Sequence, residues 1–162
     1  IAAQMGAERI GTCEIQDTGR PFYGVYYGQA ALPHAPERLF YLDNAVIRGL
    51  QVYNVETSSD IPVYDLGAAA GRDPYEMFLG GARSIIKITN PNAAQERRLI
   101  VFRDSFGSSI APLLAAGYSE ITLVDIRYIS PLSLGKLIDF AKADDVLFLY
   151  SASVINNSET IK

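Results

Sequence analysis

The chain has 162 residues, 49% of them hydrophobic, and a net charge of −4, which suits one domain around a single core and excludes a disordered or fibrous protein. No run of Lys or Arg offers the concentrated basic surface that phosphate contacts need, which argues against nucleic acid as the main partner. No apolar stretch reaches the roughly 18 to 20 residues that span a bilayer.

Residues 1–7 read as the end of a helix closed by Gly6. The sequence starts at Ile1 inside this helical pattern, so a piece of a longer protein is expected, and a missing signal peptide says nothing of compartment. Cys13, the only cysteine, allows neither an internal disulfide nor a thiolate metal cluster. It reads as a small apolar residue in or near a strand. Glu8 to Asp17 reads as that strand, running into a turn at Asp17-Thr18-Gly19-Arg20-Pro21. Residues 22–36 interleave Phe22, Tyr23, Tyr26 and Tyr27 with Gly24 and Gly28, then bring Pro33 and Pro36. Gly and Pro break both regular periods, so irregular structure is expected there. Leu50 to Glu56 alternates as a strand does, Thr57-Ser58-Ser59-Asp60 is a turn, and Pro62 to Leu66 is a short extended piece. Asp73-Pro74 supplies a cap and a proline for the first helical position, and Gly80-Gly81 a stop, which predicts a short helix over Tyr75 to Leu79. Ser84 to Thr89 is a strand and Asn90-Pro91-Asn92 a turn.

The last third has a clearer rhythm. Leu99-Ile100-Val101-Phe102 is a continuous apolar run, as in a strand buried on both faces. Ser108 to Ala116 predicts a helix ended by Gly117, and Ile121 to Ile126 a second buried strand. Ser130-Pro131 opens a helix expected to reach about Ala143, Val146 to Tyr150 is a third buried strand, and a final helix is expected after Ser151. Strands alternating with helices of about ten residues imply right-handed crossovers and a parallel β-α-β-α-β unit.

Ligands of open α/β sheets bind beyond the carboxyl ends of the strands. Two polar turns fall at that edge, Arg103-Asp104-Ser105-Phe106-Gly107-Ser108-Ser109 and Asp125-Ile126-Arg127-Tyr128. A serine at 105 sits near a helix start, where unpaired N–H groups can stabilise an alkoxide and then a tetrahedral oxyanion. Asp104 and Phe106 would support it, and Gly107 would let the backbone approach a substrate closely. A serine is a weak nucleophile alone, so a base must lie within hydrogen-bond reach. Asp104 or Ser105 equally well caps the helix, and from the tetrapeptide alone capping and catalysis both stand. Arg127 can bind a carboxylate or clamp an oxyanion, or it can pair with Asp125 or Asp104 and fix the loops. Gly81 can present a second oxyanion N–H, or Gly80-Gly81 can simply stop a helix. His34, the only histidine, can swing into a site from its proline-flanked loop or stay a surface residue. The Phe22, Tyr23, Tyr26 and Tyr27 cluster can stack on sugar rings or close an edge of the core. Asn156-Asn157-Ser158 matches a glycosylation sequon, a triplet common by chance.

The block LIVFRDSFGSSIAPLLAAGYSEITLVDIRY, Leu99 to Tyr128, resembles the nucleophile block of the DHHW family, bacterial SGNH/GDSL-like proteins similar in their catalytic domain to the alginate O-acetylation proteins. Phe22-Tyr23-Gly24, Tyr75 to Gly81 (YEMFLGG), Ile88-Thr89-Asn90-Pro91 and the ending Asp145 to Tyr150 extend the resemblance in order over nearly the whole chain. It implies an α/β three-layer sandwich with a mainly parallel sheet, SGNH hydrolase/flavodoxin-like, with residues 1–162 as a single domain from the C-terminal part of a longer protein. It also implies Ser105 as nucleophile, an ester substrate such as acetyl groups on a glycan, an extracellular or cell-surface location and no cofactor.

The Asp-His-His-Trp motif that names the family is absent, and the chain has no Trp. In the family that motif precedes the segment seen here and supplies the acid and base. Family oxyanion donors usually include a Gly and an Asn on separate loops, whereas Gly81 is followed by Ala82. The leading expectation is an esterase or O-acetyltransferase acting on a cell-surface carbohydrate, its His and Asp coming from the missing part. The rival is a non-catalytic domain that keeps the fold and binds a glycan or protein. A phosphate-binding flavodoxin-like domain is a weaker third option, with no Gly-rich phosphate loop and no Lys near Ser105.

Overall fold

The computed structural model describes residues 1–24, 33–157 and 159. Strands β1 (Glu14–Phe22) and β2 (Glu37–Asp43) pair antiparallel as a two-stranded sheet. The turn expected at Asp17 to Pro21 is instead a bulge within β1. The register shifts there, Gly19 takes φ +67°, and Asp17 Oδ1 accepts the Gly19 N–H at 2.8 Å. Asn44 then caps the short helix α1 (Ala45–Arg48), accepting the Ile47 N–H at 3.0 Å.

The remaining strands are β3 (Gln51–Asn54), β4 (Ser59–Ile61), β5 (Ile85–Thr89), β6 (Arg98–Arg103), β7 (Glu120–Val124) and β8 (Asp145–Leu149). They form one six-stranded sheet in the order β4-β3-β5-β7-β6-β8. Helix α2 (Phe106–Leu114) joins β6 to β7, α3 (Pro131–Leu134) follows β7, and α4 (Ala152–Asn156) follows β8. The three apolar runs are parallel neighbours, with Val101 of β6 opposite Leu123 of β7 and Leu147 of β8.

The sheet as a whole is mixed, and the expected three-layer, mainly parallel, SGNH hydrolase/flavodoxin-like sandwich is corrected on this point. β3 runs antiparallel to both β4 and β5, β5 runs antiparallel to β7, and β1–β2 is a separate sheet. Chain length explains this. A parallel crossover takes about a dozen residues or more, and the eight residues Asn90 to Arg97 between β5 and β6 cannot supply one. β3 and β4 are joined by a tight hairpin with Ser58 at φ +52°. The helix expected to run to Ala143 is also cut short. Gly135 closes α3, and Asp139 caps a separate 3-10 turn at Phe140–Lys142 by accepting the Ala141 N–H at 3.2 Å. The helix expected over Tyr75 to Leu79 is likewise one 3-10 turn, Pro74–Met77, after which Phe78 bridges to Tyr64.

Alternation along the strands sorts the core into two faces. Leu99, Val101, Ile121, Leu123, Ile86 and Ile88 pack under α2 with Leu114 and Tyr118. Ile100, Val124 and Ile85 pack under α3 with Leu134 and Ile138. Each such aliphatic side chain contributes roughly 1.5–3 kcal/mol on full burial. Burial of β6 and β7 on both faces is what holds the turn after β6 in place. No helix among the described residues is long and apolar enough to cross a membrane.

Candidate active site

β6 ends at Arg103, and three residues later, at Phe106, the helix has begun. Asp104 makes that sharp turn possible. It is 1% exposed, its Oδ1 accepts the Phe106 N–H at 3.0 Å, and its Oδ2 accepts the Ser151 N–H at 2.6 Å. One carboxylate thus caps α2 and fastens the turn to the segment after β8. Ser105 is exposed, at φ −56° and ψ −31°, and its hydroxyl makes no capping hydrogen bond. Its N–H has no backbone acceptor among the described residues. Of the two capping candidates in the tetrapeptide, Asp104 does the capping and Ser105 keeps its hydroxyl at the surface. The Phe106 N–H, engaged by Asp104, and the Gly107 N–H, donated to the Asp104 carbonyl at 3.1 Å, are not open donors. The Phe106 ring is exposed.

Gly107 lies against the side chain of Arg103. A Cβ there would lie 2.5 Å from Arg103 Cβ and 2.8 Å from its Cγ, so the glycine admits the arginine stem. Arg103 is 1% exposed, with Nη1 3.3 Å from the Asp104 carbonyl and 3.7 Å from Asp125 Oδ2, and Nη2 3.4 Å from the Arg83 carbonyl. Burial pulls its guanidinium below the ordinary value, against the opposing pull of Asp125. Asp125 is fully buried and grips Arg127 in a bidentate pair, Nε to Oδ1 at 2.8 Å and Nη2 to Oδ2 at 2.6 Å. That hydrogen bonding raises the Arg127 guanidinium further. Arg127 therefore fixes the loop, as the ion-pair reading has it, and its guanidinium lies 5.4 Å from the centre of the exposed Tyr128 ring.

Gly81 does not offer its N–H outward, because that group donates to the Phe78 carbonyl at 3.1 Å. Leu79, Gly80 and Gly81 take φ of +53°, +68° and +78° in succession, a tight left-handed turn held by the fully buried Leu79 side chain. The segment is nevertheless knitted to α2. The Tyr75 hydroxyl donates to Ser109 Oγ at 2.8 Å, and Ser109 donates to the Phe106 carbonyl at 3.2 Å. Burial raises the Tyr75 phenol, and the Ser109 hydrogen bond opposes it. His34 lies in the coil before β2, its Nδ1 2.7 Å from the Ala35 carbonyl and its ring 6.1 Å from that of Tyr23. Phe22 packs 6.3 Å from Tyr75 and closes a core edge, while Tyr23 is exposed. Tyr26, Tyr27 and the sequon's Ser158 lie outside the described residues.

Sequence reasoning gave no role to Arg103, Tyr150 or Ser151. The buried side-chain atoms without a hydrogen-bond partner among the described residues are Arg83 Nε, Arg103 Nε and Tyr150 Oη. The Tyr150 phenol is raised by burial and by the charge of Asp125. Arg103 at a strand end was the available signal, since a cation is seldom fully buried without a partner. A cavity of about 210 Å³ lined by Lys87, Arg98, Glu120, Asp139 and Lys142 lies at the opposite, amino ends of β6 and β7, and has no part in this site.

No protein-family model and no curated protein matches the sequence. Solved structures do. A DHHW family protein from Eubacterium siraeum is similar with a TM-score of 0.68 at 22% identity, over 98% of this chain and 55% of that one. Bacillus cereus PatB1 carrying a sulfonyl adduct is similar with a TM-score of 0.65 at 22% identity, over 91% of this chain and 51% of that one. A second structure of Bacillus cereus PatB1 is similar with a TM-score of 0.63 at 22% identity, over 89% of this chain and 50% of that one. The likeness is one of fold, and this chain spans about half the length of the structures it matches.

Proposed function

We propose that the chain carries the nucleophile of a DHHW-type, SGNH-like serine esterase or O-acyltransferase that acts on acyl groups of a cell-surface carbohydrate, as the alginate O-acetylation proteins do. The observation that carries this reading is the division of labour at the turn after β6. Asp104 satisfies the helix start, and Ser105 stands exposed with its hydroxyl uncommitted. In this mechanism Ser105 Oγ attacks the acyl carbonyl and its proton passes to a base. The Ser105 N–H faces the developing oxyanion. The sugar alkoxide leaves with a proton, and the acyl-serine is cleared by water in an esterase or by another sugar hydroxyl in a transferase.

This reading places the base and its acid partner in polypeptide outside these residues, because the contacts of His34 among the described residues are to Ala35 and Tyr23 and not to Ser105. The half-length coverage of the matched structures supports that assignment. Sulfonyl electrophiles are captured by activated nucleophiles, so the sulfonyl adduct of PatB1 agrees with the chemistry proposed here for Ser105. The test is to treat the full-length gene product with phenylmethylsulfonyl fluoride and map the adduct by mass spectrometry. Modification of Ser105, absent in Ser105→Ala, is the expected result. No modification, or an adduct at another residue, leaves the non-catalytic binding domain as the better reading.

A further inference from the structure

The cavity of about 210 Å³ at the amino ends of β6 and β7 lies on the face of the sheet that α3 covers. Its floor follows from strand register. Lys87 of β5 stands opposite Thr122 of β7, and Glu120 of β7 stands opposite Arg98 of β6, so these four side chains share one face. Ile138, Asp139 and Lys142, from the chain after α3, form the other wall. Three cations thus meet two carboxylates. Asp139 is committed, accepting the Ala141 N–H at 3.2 Å and pairing with Lys142 Nζ at 3.3 Å. Lys87, Arg98 and Glu120 are half-buried, and their side chains have no ion-pair partner among the described residues. Thr122 is 4% exposed and lines the same cavity, and its hydroxyl makes no hydrogen bond among the described residues. A buried hydroxyl is ordinarily satisfied, and two half-buried cations that face one cavity draw an anion into it.

We propose that this cavity binds inorganic phosphate, between Lys87 and Arg98 and over Thr122. β5 and β6 flank β7 and lie roughly 10 Å apart, so the two long side chains reach a group seated above β7 from opposite sides. An ion there takes hydrogen bonds from the ammonium, the guanidinium and the Thr122 hydroxyl. Donors converging from three directions suit a tetrahedral oxyanion better than a planar carboxylate. Glu120 sets the choice among tetrahedral ions. Its ionised carboxylate only accepts hydrogen bonds. Phosphate at neutral pH still carries a proton to donate to it. Sulfate carries none, and a phosphomonoester, with its second pKa near about 6, has mostly lost its own. Both would meet Glu120 as an unrelieved like charge. Bound phosphate would tie β5 to β6 across the floor of the cavity. Ser105 lies roughly 20 Å away along β6, so the site is separate from the proposed nucleophile and does not depend on that reading.

The experiment is isothermal titration calorimetry of the full-length gene product with inorganic phosphate, sulfate and methyl phosphate, at an ionic strength held constant with chloride. Thermal denaturation is followed beside it. Phosphate is expected to saturate one site with a Kd of about 1 mM or tighter and to raise Tm as its concentration rises. Sulfate and methyl phosphate are expected to bind roughly tenfold or more weakly. Lys87→Met and Arg98→Met should each weaken phosphate by roughly tenfold or more, with circular dichroism confirming that each variant is folded. If Arg98→Met does not fold, Lys87→Met decides the matter. Glu120→Gln, whose amide can donate, is expected to bring sulfate level with phosphate. The absence of saturable phosphate binding overturns the proposal. So does sulfate binding as tightly as phosphate to the unaltered protein, which marks a general attraction of anions to surface cations. Phosphate affinity that is unchanged in Lys87→Met overturns it too, because the ion then sits elsewhere.

Discussion

At the turn after β6, the Asp104 carboxylate accepts two backbone N–H groups, one from the start of α2 and one from Ser151. Asp104→Ala removes a helix cap and strands both donors, and is expected to cost about 2 kcal/mol or more. Asp104→Asn, which keeps an acceptor, should cost less, and urea denaturation of the two variants measures the difference. Gly107→Ala drives a methyl group to 2.5 Å from Arg103 Cβ and is expected to cost roughly 1–3 kcal/mol or to prevent folding. Gly135→Ala, with nothing within 4 Å of the new Cβ, is the control, expected within about 0.5 kcal/mol of the parent. The sequence left Asp104 and Ser105 as equivalent capping candidates because both residue types cap helices. Only the backbone geometry distinguishes them. The close neighbour of Gly107, the stem of Arg103, was hidden for a related reason, since no local pattern announces that burial.

At the scale of elements, the strands of the last third were legible because each is a largely apolar run bounded by charged or turn-forming residues. Val101 lies between Leu123 and Leu147 and is 1% exposed. Val101→Asp buries an unpaired charge and is expected to unfold the protein, seen as loss of the cooperative urea transition. Strand direction was less legible. Residues 84–89 read correctly as a strand, but its antiparallel pairing with β7 follows from a connection too short for a crossover, which the apolar pattern does not encode. β2 escaped notice beside the Gly- and Pro-rich stretch. At the amino end of the sheet, Arg97 pairs with Asp145 at 2.6 Å and reaches the Met5 and Gly6 carbonyls, while the Tyr118 hydroxyl donates to Asp145 at 2.8 Å. Burial, then the Asp145 hydrogen bond, pushes the Tyr118 phenol up to about 12 from an ordinary 10. A phenol raised on folding stabilises fully below pH 10, and that contribution fades as pH climbs from 10 through 12. Stability measured by urea denaturation is expected to fall across this window, less steeply in Tyr118→Phe.

For the whole molecule, the proposed function makes the candidate site one half of a catalytic apparatus. Ser105 was legible from the turn and from the family-like block around it, whereas its support by Asp104 and the buried Arg103–Asp125–Arg127 cluster depends on contacts between distant segments. A serine with no base retains only oxyanion stabilisation and binding, worth roughly 10³- to 10⁴-fold over water in the best-dissected triads. The most direct measurement is hydrolysis of 4-nitrophenyl acetate by the 162-residue chain, the full-length gene product and its Ser105→Ala variant, assayed side by side. The account predicts rapid turnover by the full-length protein, loss of that turnover in Ser105→Ala, and near-inactivity of the short chain. A full-length protein that is inert, or whose activity survives Ser105→Ala, contradicts it, and rapid Ser105-dependent turnover by the short chain contradicts the claim that the base lies elsewhere.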